Sequence, residues 1–137
     1  MEKFNVVIGT HGRFGEELVN SARMIAGTLE NVECCSLLPE YSFEDYMKMV
    51  DEKLSQKEGF TIVLVDLFGG TPCNVFTVMS KKYKFPVITG LNLPMFIDLY
   101  LKLSNMEESE LDLEQLISDT IETLKNSSIY TNAQLQS

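Results

Sequence analysis

His11 is the only histidine of the chain, and it stands in Gly9-Thr10-His11-Gly12 at the end of a short apolar run. A neutral imidazole has one nitrogen free to attack and one that carries a proton. A carboxylate that accepts this N–H fixes the tautomer and stabilises the positive charge that develops on the ring. Asp66 is the candidate for that role. It ends FTIVLV (Phe60 to Val65), the strongest strand signal in the sequence, and opens the loop Asp66-Leu67-Phe68-Gly69-Gly70-Thr71-Pro72. Phosphoryl transfer then needs mainly positioning and stabilisation of the equatorial oxygens. Gly69, Gly70 and Thr71 are the candidate phosphate-binding residues, through backbone amides, the positive end of the helix that follows, and the Thr71 hydroxyl. This chemistry calls for no metal and no cofactor.

The elements that must position these residues alternate. NVVIG (Asn5 to Gly9) reads as a buried parallel strand, and Phe14, Leu18, Ala22, Ile25 and Leu29 then recur at helical spacing. Val32 to Leu38 is a second strand. Ser42 and Asp45 form a capping box, with Phe43, Tyr46, Met47, Val50 and Leu54 as the buried stripe of a helix. Thr71-Pro72 reads as an N-cap followed by proline at the first helical position. Phe85 to Thr89 is a fourth strand, and Pro94 opens a helix carrying Phe96, Leu99, Tyr100 and Leu103. A last helix uses Leu113, Leu116, Ile117, Thr120 and Leu124.

Such alternation implies an α/β fold, a three-layer sandwich with a mainly parallel central sheet and helices on both faces. The expected strand order is 2-1-3-4, which makes the first and third strands neighbours. In an open sheet of this kind the ligand crevice lies outside the carboxyl ends, where connections depart to opposite faces. His11 and Asp66 then meet across it. Residues 1–126 are expected to form one domain and 127–137 a C-terminal strand or tail.

Composition excludes several classes. A net charge of −9 over 137 residues is the opposite of a nucleic-acid surface and favours docking on a basic partner. Cys34 and Cys35 are adjacent and Cys73 is alone, which gives neither a zinc spacing nor a redox pair and fits a reducing compartment. No apolar run approaches a membrane span and Met1 to Asn5 lacks a signal-peptide pattern, so a cytoplasmic location is expected. Phe14 and Phe68 read as packing residues, with shielding of the histidine from water as the alternative, Arg13 as an exposed loop arginine with phosphate contact as the alternative, and Glu107, Glu108 and Glu110 as a solvated helix start. Two other functions stay open: a regulatory module whose phosphorylation is sensed by a partner, and a thiol hydrolase built on Cys73, His11 and Asp66.

The chain resembles the enzyme IIA component of the mannose-type sugar phosphotransferase system (PTS; the mannose, fructose and sorbose family). The resemblance spans roughly residues 4 to 125 and rests on VVIGTHG, VDLFGGTPCN and TGLNLPM, in this order. It implies a phosphocarrier that accepts a phosphoryl group from phospho-HPr on Nε2 of His11 and passes it to a histidine of enzyme IIB. Asp66 would hydrogen-bond the other ring nitrogen. It also implies a homodimer in which a C-terminal strand can be exchanged, here around Ser128 to Thr131, and indirect association with the membrane components IIC and IID. Leu67 stands where relatives often carry a hydroxyl, and Cys73 where they often carry an aromatic residue.

Overall fold

In the structure, a computed structural model, residues 1 and 3–136 are described. Four strands, β1 (Phe4–His11), β2 (Val32–Leu37), β3 (Phe60–Val65) and β4 (Val87–Thr89), form one parallel sheet in the order β2-β1-β3-β4. The helices are α1 (Phe14–Ala26), α2 (Phe43–Leu54), α3 (Thr71–Tyr83), α4 (Leu93–Asn105) and α5 (Leu113–Lys125). Among the described residues no helix is long and apolar enough to cross a membrane.

The period of two in β1 and β3 sorts side chains between two cores. Val6, Ile8, Ile62 and Leu64 face α1, α4 and α5. Val7, Val63 and Val65 face α2 and α3. A strand covered on both faces must be apolar throughout, which is why FTIVLV carries no charge. The helix α1 therefore leaves β1 on one face, while α3 leaves β3 on the other. That divergence opens the crevice at the carboxyl ends of β1 and β3.

Element boundaries depart from the expectations in instructive ways. β1 continues through His11, so the histidine is the last residue of a strand rather than part of the loop. Pro86 has no N–H to donate, and β4 begins only at Val87. The capping box of Ser42 and Asp45 forms as expected. At α3 the N-cap is Gly70, and Thr71 is already helical without a side-chain cap bond. The helix faces are also rotated relative to the expected stripes. Phe14, Ile25, Phe43 and Leu113 are exposed, and α1 instead buries Gly15, Leu18, Val19 and Ala22. The acidic segment forms a short exposed 3-10 turn, Glu108–Glu110. The C-terminal residues Thr131–Gln136 form a 3-10 helix in this single chain, with no strand among residues 127–136.

Phe96 is fully buried beneath the sheet and meets Tyr100 ring to ring, whereas Phe14 is half exposed. Phe96→Ala is expected to lower stability by about 3–5 kcal/mol in urea unfolding. Phe14→Ala should cost well under half of that, and equal losses would contradict the assignment of faces.

Candidate functional site

The parallel pairing of β1 with β3 aligns Gly9 with Val65. Beyond it, the Asp66 amide donates to the Gly9 carbonyl at 3.3 Å, which carries the ladder one step past the strand end. Gly12 then turns the chain at a φ of +56, the left-handed region that favours glycine, and its amide donates to Leu37 O at 2.8 Å. The imidazole is thus projected from the end of a central strand that is pinned on both sides.

Asp66 meets it there. Its Oδ2 accepts the His11 backbone amide at 2.9 Å and lies 2.8 Å from Nδ1 of the ring. The other oxygen, Oδ1, accepts the Leu67 amide at 3.0 Å. An oxygen that accepts one N–H from the backbone and faces a second nitrogen at hydrogen-bond distance acts as acceptor for both, which in the neutral ring selects the tautomer with its proton on Nδ1. Nε2 is left with its lone pair. The side chains are 48% exposed for His11 and 11% for Asp66: the acid is shielded and the ring is open.

Thr10 is a supporting residue that the sequence motifs do not mark out. It is buried, accepts the Gly15 amide at 2.9 Å and donates to Gly12 O at 3.3 Å. It therefore ties the turn after His11 to the start of α1. The alternation of β1 could have found it, because Thr10 follows Val6 and Ile8 on the same face. Beneath Gly9 lie Phe76 and Tyr46; the Tyr46 hydroxyl donates to Cys35 O at 2.7 Å, and burial pushes its phenol far above the ordinary range.

Gly69, Gly70 and Thr71 stand at the N-terminus of α3, and the Gly70 backbone lies against the ring edge of His11. Gly70 O accepts the Asn74 amide at 2.9 Å, and Asn74 Nδ2 donates to Gly69 O at 3.3 Å. The first amides of any helix lack partners within it, and Pro72 has no N–H to add. This end of α3 therefore presents donors and a positive partial charge beside Nε2.

Other candidates lie elsewhere. Arg13 is mostly exposed and pairs with Glu16 at 3.2 Å, and Glu16 also accepts the Ser36 hydroxyl. Phe14, Leu67 and Phe68 are exposed rather than packed. Cys73 is buried at the edge of the core between the sheet and the α2–α3 layer, and the described hydrogen bonds of the His11 ring and the Asp66 carboxylate involve each other and the amides of His11 and Leu67 rather than its sulfur, unlike a thiol-hydrolase triad. Burial raises the thiols of Cys34 to about 11 and of Cys35 to about 12.

A family model described as EIIA-man, PTS system fructose IIA component, matches residues 5–116. The PTS system mannose-specific EIIAB component of Escherichia coli (strain K12) is 28% identical over 121 residues, 86% of this chain and 36% of that protein. The chain thus spans about a third of the length of that relative. The PTS system sorbose-specific EIIA component of Lacticaseibacillus casei is 25% identical over 131 residues, 93% of this chain and 95% of that one. Among solved structures, phosphotransferase system component EIIA from Streptococcus agalactiae superposes with a TM-score of 0.83 at 26% identity, covering 95% of this chain and 98% of that chain.

Two measurements check this geometry. In the neutral ring, nitrogen-15 NMR of the single histidine should show the proton on Nδ1 and a bare Nε2; the opposite tautomer would remove the role given to Asp66. A thiol reacts as its thiolate, and a raised pKa keeps Cys34 and Cys35 protonated until strongly alkaline pH. Native protein at pH 8 should therefore leave Cys35 unalkylated by iodoacetamide, with full labelling only after unfolding.

Proposed function

The chain belongs to the EIIA-man family of PTS components, and from that premise we propose that it is a phosphocarrier working through His11. A PTS IIA component serves sugar transport, and its chemistry is of the phosphotransferase type. The finer steps are our reading of the site. Nε2 attacks the phosphorus of phospho-HPr, an N–P bond forms on His11, and the N–P bond on the HPr histidine breaks. The ring then carries a proton on Nδ1 and the phosphoryl group on Nε2, with a positive charge that the Asp66 carboxylate offsets. Attack by a histidine of enzyme IIB reverses the process and returns the neutral ring.

The observation that supports this most is the 2.8 Å contact between Nδ1 and Asp66 on a ring whose other nitrogen is open. The amides of Gly69, Gly70 and Thr71, with the start of α3, are assigned to the equatorial oxygens. Histidine, aspartate and helix end suffice for each step, without metal or cofactor. The half-exposed ring favours a macromolecular donor and acceptor, since a protein partner brings its own phosphohistidine to the surface. A homodimer, a cytoplasmic location, a carrier unit of residues 1–126 with a separate C-terminal segment, and indirect association with IIC and IID belong to the same reading. The sugar is not selected at this site, because the carrier handles only phosphate and protein partners.

His11→Ala should abolish acid-labile labelling by phospho-HPr while the circular dichroism spectrum stays native; retained label would defeat the assignment. Asp66→Asn should slow acceptance by about 10- to 100-fold, because an amide offsets the ring charge poorly. Onward transfer to enzyme IIB separates a transport carrier from a regulatory module, which would hold its phosphate.

A further inference from the structure

Gly69 and Gly70 are neighbours, yet different physics favours glycine at each. Gly69 has a φ of +85, and an ideal Cβ built on it meets nothing within 4 Å. Its conformation is what demands glycine. Gly70 is the reverse case. Its φ of −80 and ψ of 171 are extended values open to any residue. A Cβ built there, however, falls 2.6 Å from Cε1 of His11 and 3.2 Å from Nε2. What is lacking at Gly70 is space, and the imidazole fills it.

The ring cannot move aside cheaply. Nδ1 is tethered to Asp66, and Asp66 is itself held by the amides of His11 and Leu67. The Leu67 Cγ lies 3.7 Å from the same Cβ position, in ordinary van der Waals contact, so the imidazole alone makes the clash. A methyl group at position 70 must therefore stretch the bond to Asp66 or rotate Nε2 away from the start of α3.

We infer that Gly70 is a positioning residue for phosphoryl transfer: the absence of its side chain makes the wall against which the imidazole is held, with Nε2 presented to the N-terminus of α3. The inference rests on the phosphocarrier reading and deepens it. It is also distinct from a role as amide donor to phosphate, because Gly70→Ala keeps the backbone N–H.

The test uses Gly70→Ala in the full chain. Three quantities are read: the rate of phosphoryl acceptance from phospho-HPr, the urea midpoint, and the Cε1–H resonance of His11, which is unambiguous in a chain with one histidine. The expected result is a fall in rate of about 10- to 100-fold, a displaced Cε1–H resonance and a nearly native urea midpoint. An unmoved resonance overturns the inference whatever the rate does, and so does a displaced resonance at wild-type rate. Should the variant fail to fold, the wild-type protein still decides the contact: a strong nuclear Overhauser effect between a Gly70 α-proton and the His11 Cε1–H is expected, and its absence overturns the inference. A wild-type chain that takes no phosphate would instead strike the phosphocarrier reading, and the Gly70 contact is read separately, in unphosphorylated protein.

Discussion

A single carboxylate oxygen, Oδ2 of Asp66, takes both the backbone amide and the ring Nδ1 of His11. Its grip on the main chain fixes where the ring starts, and its grip on the ring fixes where Nε2 points. Hydrogen bonds with an ionised partner are roughly twice as strong as neutral ones, and Asp66 is shielded enough to profit from that. The remaining architecture serves this contact. Parallel pairing of β1 with β3 brings the two residues to the same end of the sheet, and the departure of α1 and α3 to opposite faces keeps the space above them open.

The proposed transfer between proteins needs a ring that a partner can reach from solvent. His11 is half exposed; Phe14, three residues beyond it, and Leu67 and Phe68, which follow Asp66, are exposed apolar residues. Apolar side chains left in water beside a reactive group fit burial under a protein partner. The charge of −9 adds a long-range preference for basic surfaces. Neither feature would suit a pocket for a small free substrate.

Much of this was legible in the sequence because it depends on local chemistry. The unbroken apolar run of β3 and the capping box at Ser42 each follow from residue type and spacing, whereas the meeting of His11 with Asp66 follows only once β1 and β3 are taken as neighbours, with their hydrogen bond implied by the family resemblance. What the sequence concealed depends on geometry between elements. Phe14 and Ile25 have helical spacing with Leu18 and Ala22, yet the tilt of α1 on the sheet turns them outward. Thr71 is a good cap by type, but the helix begins one residue earlier with Gly70 as N-cap, and Gly70 lies against the imidazole, a contact no local rule contains. The C-terminal segment is polar and carries no strand among its described residues, and its sequence pattern alone does not decide between strand and tail.

The decisive measurement is where the phosphorus becomes attached. Protein labelled with nitrogen-15 in its histidine, phosphorylated with phosphoenolpyruvate through HPr and its kinase, can be read by phosphorus–nitrogen coupling. Attachment to Nε2, with the proton still on Nδ1, is the result required by an imidazole held from behind by Asp66. Attachment to Nδ1, or phosphate on a side chain other than His11, would contradict it.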